Sequence, residues 1–130
     1  MASAPAFAAS PRIAGATVTG ANTARDGTGV NIVTVITAAT NGTQIREVNI
    51  KATGNTSLSS LVLFLNDGTN FYVLTEISVS AITASTTTAS YSSSVRFDNL
   101  FLPTNWSLRA SMTVAPATGG VTVTALGADL

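Results

Sequence analysis

The chain has no histidine and no cysteine, and only 9% of its 130 residues are charged, against roughly 25% in an ordinary soluble domain. Without histidine or cysteine there is no Ser-His-Asp or Cys-His nucleophile, and a zinc site loses its usual ligands. Without cysteine there is also no disulfide framework. Few groups remain that could carry a proton at neutral pH, so the composition argues for a structural protein and against an enzyme. No cofactor is expected.

Six basic and six acidic residues cancel to a net charge of zero. The basic ones (Arg12, Arg25, Arg46, Lys51, Arg96 and Arg109) are scattered singly, whereas binding to phosphates needs clustered positive charge, so no nucleic-acid partner is expected. Zero net charge gives little protection against self-association, which suits a subunit held in an assembly. The longest apolar run, Leu61 to Leu65, is far too short to span a bilayer, so no membrane partner is expected. The segment Met1 to Pro11 has no basic start and is interrupted by Pro5 and Pro11. It does not fit a secretory signal, and the expectation is a soluble protein that keeps its N-terminus.

Serine and threonine fill the place of the missing charges. From about residue 30 the sequence alternates with period two between turn signals, the pattern of many short strands. Val30 to Thr37 is rich in β-branched residues, and Ile45 to Ala52 puts Val48, Ile50 and Ala52 on one face. Leu61 to Leu65 is apolar on both faces. Phe71, Val73, Thr75, Ile77 and Val79 form a row, as do Tyr91, Ser93, Val95 and Phe97. Trp106, Leu108, Ala110, Met112 and Val114 form another, and Val121, Val123 and Ala125 the last. Asn41-Gly42 and Asp67-Gly68 close hairpins, and Gly54-Asn55, Pro103-Thr104-Asn105 and Gly119-Gly120 mark further breaks. The expected fold is all-β: a jelly-roll-like antiparallel β-sandwich of seven or eight strands over residues 30–130, preceded by an extended N-terminal arm, residues 1–29. The arm is too poor in bulky apolar residues to order itself, and one strand is expected in it around Ile13 to Thr19.

The carboxylates Asp26, Glu47, Asp67, Glu76, Asp98 and Asp129 read as turn formers or solubilising groups, not as a catalytic pair. Asp67-Gly68-Thr69-Asn70 has oxygen ligands for calcium but lacks further spaced acids, and a hairpin turn accounts for it. Three sequons, at Asn41, Asn55 and Asn105, arise by chance in a chain this rich in Ser and Thr. Trp106 starts an apolar row and reads as core. Tyr72 lies opposite the row of its strand and reads as an exposed contact. The candidate partner-binding residues are therefore Phe7, Arg12, Ile13 and Arg25 of the arm, together with Tyr72.

Four stretches carry a resemblance. They are Ala21-Asn-Thr-Ala-Arg-Asp-Gly-Thr-Gly29, Ile50-Lys-Ala-Thr-Gly54, Phe64-Leu-Asn-Asp-Gly-Thr-Asn70 and Leu102-Pro-Thr-Asn-Trp-Ser-Leu-Arg-Ala110. Over residues 12–130 the series resembles small proteins encoded in the structural-gene regions of tailed bacteriophages and prophages. The resemblance implies a virion component of the capsid cement (decoration) type: a jelly roll made in the bacterial host cytoplasm that sits as a homotrimer on the outside of the shell. Its partners would be the major capsid protein and further copies of itself. The resemblance transfers no active-site residue. Two other roles stand beside it, a tail, baseplate or fibre-associated module and a lectin-like module that binds host-surface glycans.

Overall fold

Period-two alternation, β-branched residues and glycine-bearing turns fold this chain entirely into strands. The computed structural model describes residues 10–130, and among them there is no helix. The eight strands are β1 (Ser10–Val18), β2 (Val33–Thr37), β3 (Thr43–Ala52), β4 (Ser59–Asn66), β5 (Phe71–Val79), β6 (Ser92–Leu102), β7 (Ser107–Met112) and β8 (Val121–Asp129). They form two antiparallel four-stranded sheets, ordered β1-β8-β3-β6 and β2-β7-β4-β5, packed face to face as a β-sandwich. Ladders join β1 to β8, β2 to β7, β3 to β6 and β4 to β5, so the first strand pairs with the last, the second with the seventh, and so on inward.

The inner faces supply the core: Val18, Ile45, Val48, Ile50, Val121, Val123 and Ala125 from the first sheet, and Val35, Ile36, Leu61, Leu63, Leu108, Ala110 and Met112 from the second, all nearly inaccessible to water. Each large aliphatic side chain buried this way stabilises the fold by about 2 kcal/mol. Gly42 and Gly68 hold φ of 95° and 103° in the turns anticipated from Asn41-Gly42 and Asp67-Gly68, backbone that residues with a Cβ rarely adopt. Tyr91, at the entrance to β6, donates its hydroxyl to the Ser78 carbonyl of β5 at 2.5 Å and so ties the two sheets across one edge.

Three register shifts break the regular alternation. In β2 the shift lies between Thr34 and Ile36, and the consecutive residues Val35 and Ile36 are both buried. In β5 it sets Leu74 apart: Phe64 pairs with Val73, whereas Leu63 pairs with Thr75. The row expected from Phe71 to Val79 is thus split. Ile77 and Val79 join the inter-sheet core, Val73 is exposed, and Phe71 packs edge-on against Phe64. In β3 an extra residue, Arg46, lies between the Ile45–Gly127 and Glu47–Leu126 pairs.

The division at residue 29 does not match the structure. The strand expected around Ile13 to Thr19 is present as residues 10–18, three residues earlier at its start, and it is an edge strand of the sandwich itself, not part of a separate arm. The β2 strand starts at Val33, later than Val30, because Asn31 takes a left-handed φ of 66° and interrupts the extended chain. The small residues Ala14 and Ala16 are half-buried, and the nine-residue ladder with β8 supplies the order that side-chain bulk does not.

The segment between β1 and β2 crosses the second sheet on the side away from the core. The Asn22 amide N–H donates to the Met112 carbonyl at 2.7 Å, Arg25 pairs with Glu76 of β5 at 2.9 Å, and Gly27 lies directly on the Phe71 ring. Beneath it, Val62, Phe64 and Ser111 are completely buried although none belongs to the inter-sheet core. This explains why Leu61 to Leu65 is apolar on both faces: one faces the other sheet, the other faces this strap. The buried Asn22 holds the strap's shape, donating to the Thr28 and Val30 carbonyls and accepting from the Ala24 N–H.

Candidate functional site

The outer face of the β1-β8-β3-β6 sheet carries no covering segment among the described residues, and its composition is unusual. Antiparallel register sets its side chains in three rows across four strands. Ile13, Leu126, Glu47 and Arg96 form the first row, Gly15, Thr124, Asn49 and Ser94 the second, and Thr17, Thr122, Lys51 and Ser92 the third. Adjacent strands lie about 4.8 Å apart, so the second and third rows present a repeating grid of short hydroxyl and amide groups, interrupted by Gly15 and Lys51, beside a first row of two aliphatic side chains and an ion pair. Gly15 places bare backbone in this grid: a Cβ there would sit 3.0 Å from the Val123 carbonyl oxygen and 3.1 Å from the Thr124 hydroxyl. Thr17 and Thr122 share a hydrogen bond between their hydroxyls at 3.3 Å.

Of the charges in these rows, Glu47 and Arg96 pair with each other, and Lys51 keeps its positive charge while bonded to a backbone carbonyl. Arg96 donates to Glu47 at 3.2 Å, and Lys51 Nζ donates to the Ser90 carbonyl at 3.1 Å. The depressions here are shallow, one lined by Arg46, Glu47, Arg96, Leu126 and Gly127, another by Asn49, Lys51 and Ser92 to Ser94. This surface suits broad contact with another folded surface. Its hydroxyls and amides make directional hydrogen bonds, and such contacts depend little on salt.

The carboxylates have structural partners, with one exception. Asp26 accepts from the Thr28 hydroxyl and N–H, which hold its pKa below the usual carboxylate value. Asp67 accepts from the Asn70 and Thr69 N–H groups and is lowered in the same way; a hairpin turn thus occupies the residues weighed for calcium. Asp129 accepts from the Thr43 hydroxyl and from Arg12, with the same result. Glu47 and Glu76 are ion-paired, and Asp98 lies exposed on β6. Among the described residues no three acidic side chains gather as a metal-binding group.

The residues proposed from the sequence do not form one site. Phe7 lies outside the described residues. Arg12 is half-buried and clamps Asp129, tying β1 to the end of β8. Ile13 is 69% exposed and ends the first row of the contact face, so it alone falls within that face. Arg25 is on the strap over the other sheet. Tyr72 is at the rim of the second sheet, stacked on Trp106 with ring centroids 6.0 Å apart and planes 18° from parallel. The sequence reading missed Gly15, Thr17, Asn49, Thr122 and Thr124. Their only signal was the Thr-Val-Thr alternation of β8, which marks an outward face without saying that it joins three other such faces.

No protein-family model, curated protein or solved structure matches this chain.

Proposed function

We propose that this chain is a non-enzymatic structural subunit of a bacteriophage particle, a capsid cement protein that docks on the outside of the assembled shell through the outer face of its β1-β8-β3-β6 sheet. The three-row face, in which short hydroxyl and amide groups are set among one ion pair, one lysine and two aliphatic side chains, carries this reading. Such a surface has little means of doing chemistry and is well made for lying on another protein. The nested pairing of β1 with β8, β2 with β7, β3 with β6 and β4 with β5 supports it, because a long hairpin wrapped into two sheets is the jelly-roll arrangement expected of such proteins. The resemblance of residues 12–130 to small virion proteins points the same way.

The mechanism is linkage. A protein that binds the assembled lattice but not its separated subunits stabilises the lattice by mass action. Contacts that are weak singly become strong when many symmetric copies act together, and a homotrimer closing around a three-fold axis multiplies them again. Serine and threonine rows lose little side-chain entropy on contact, which favours a broad, modest interface.

Co-sedimentation with shells assembled from the major capsid protein of a matching phage, and with the dissociated subunits, tests this reading. Saturable binding to shells and none to subunits is expected, along with a trimeric mass in solution. Thr124→Arg, in the centre of the grid, should abolish shell binding while leaving the circular dichroism spectrum unchanged. Failure to bind shells, or undiminished binding by the variant, would overturn the proposal.

A further inference from the structure

The Tyr72–Trp106 stack lies at the margin of the core and outside the contact face. Trp106 is half-buried against the core, but Tyr72 keeps 47% of its surface exposed. A tyrosine that only sealed the sandwich would be covered. Two features fix its ring: the Trp106 indole beneath it, and the Tyr72 hydroxyl donating to Asp67 Oδ2 at 3.2 Å. The flat surface is therefore set before any ligand arrives, which removes much of the entropic cost of binding.

Two turns flank this platform. The β4–β5 hairpin brings Asp67, Thr69 and Asn70, and the β6–β7 turn brings Thr104 and Asn105. They abut: the Asn105 carbonyl oxygen is 3.8 Å from where a Cβ on Gly68 would lie. Thr69, Asn70, Thr104 and Asn105 are all exposed. Asn105 is held at a φ of 72°, which the Pro103-Thr-Asn-Trp106 turn requires and which residues other than glycine and asparagine rarely tolerate.

We infer that the stacked Tyr72–Trp106 pair, rimmed by Asp67, Asn70, Thr104 and Asn105, is a binding site for a neutral sugar ring. A pyranose has an apolar C–H face that lies on an aromatic ring and a hydroxyl edge that exchanges hydrogen bonds with amides, hydroxyls and a carboxylate. The rim supplies these groups beside the platform. Neither turn contains a lysine or arginine, and Asp67 adds a negative charge, so phosphate-bearing ligands are disfavoured. The site is on the sheet that the proposed shell contact leaves free, and it does not depend on that contact. One ring should bind with a dissociation constant of about 1 mM, and an array of copies much more tightly.

Trp106 is the only tryptophan in the chain, so its fluorescence reports on the site directly. Titration with neutral oligosaccharides of glucose, galactose, mannose and N-acetylglucosamine should give a saturable change for at least one of them. Tyr72→Phe should retain binding and Tyr72→Ala should lose it. Asn105→Gly keeps the positive φ and removes only the amide, so it should weaken binding about tenfold, the effect of one lost hydrogen bond. If Tyr72→Ala fails to fold, Asn105→Gly decides. No saturable change with any of these sugars, binding undiminished by Asn105→Gly, or saturation by unrelated peptides alone would overturn the inference.

Discussion

The hydroxyl of Tyr91 donates to the backbone carbonyl of Ser78 at 2.5 Å, joining the entrance of β6 in one sheet to β5 in the other. Both strands are sheet edges, and Tyr91 itself is 7% exposed. Tyr91→Phe keeps the packing and removes this bond, so it should cost about 1 kcal/mol in urea unfolding. Tyr91→Ala also opens a cavity and should cost about 4 kcal/mol. Equal losses from the two variants would show that the hydrogen bond, not the ring, holds this edge.

Gly127 faces the bulge of β3, and a Cβ there would collide with the Gln44 carbonyl oxygen, a backbone atom that cannot swing aside. Gly127→Ala should therefore destabilise the protein by about 3 kcal/mol, a value reserved for strain at a special backbone site. Alanine at Gly68, where the nearest atom is 3.8 Å away, meets no such collision and is opposed only by its φ of 103°. Thermal unfolding of both variants checks the order: Gly127→Ala should melt lower.

The strap over the second sheet depends more on Asn22 than on Arg25. The buried Asn22 side chain makes three hydrogen bonds within the strap, whereas the Arg25–Glu76 pair is exposed to solvent, where ion pairs contribute little. Asn22→Ala should cost about 2 kcal/mol and speed amide exchange over residues 22–30. Arg25→Ala should leave both nearly unchanged. Exchange mass spectrometry distinguishes the two; a larger effect from Arg25→Ala would reverse the assignment.

Acid should destabilise this protein by a short list of groups. The Thr43 hydroxyl first, and then Arg12, depress the Asp129 pKa; Asn70 and Thr69 N–H groups depress Asp67, and the Thr28 hydroxyl and N–H depress Asp26. A carboxylate with a lowered folded-state pKa binds fewer protons folded than unfolded, so its stabilisation is present above the ordinary value of 3.8 and is lost as pH falls through the folded value. With no histidine, no side chain has its ordinary titration between about pH 5 and 8. Urea midpoints should therefore be flat across that range and fall below about pH 4. Asp129→Asn should lower the neutral-pH midpoint and reduce the acid loss; an unchanged acid profile would exclude Asp129 from it.

Much of the fold is legible in the order of residues. The alternations of β3 and β8 predict their buried faces, whereas β7 is buried on both sides, Ser107 and Ser111 included; the Asn41-Gly42 and Asp67-Gly68 turns take the positive φ that glycine allows. Leu61 to Leu65 announces burial on both sides, but what covers its second side cannot be read there, because the cover is a loop some forty residues earlier. The split of the Phe71–Val79 row is equally hidden, since a bulge is a relation between two strands. The candidate contact face was legible only as separate outward residues; Trp106 does pack against the core as its row suggests, but nothing in its neighbourhood reveals that Tyr72 stacks on it.

By itself, then, the sequence determined the class of the protein: all-β, weakly charged, without histidine or cysteine. Local alternation and turn chemistry are short-range properties, set within a few residues, and composition requires no geometry at all. Only the tertiary structure decided which strands are neighbours, and with that the three rows of the flat face, the strap that folds back over Phe64, and the meeting of Tyr72 with Trp106. Each of these joins residues far apart in the chain. They are fixed by packing two sheets and their loops into one lowest-energy arrangement, to which every strand contributes and which no single strand encodes.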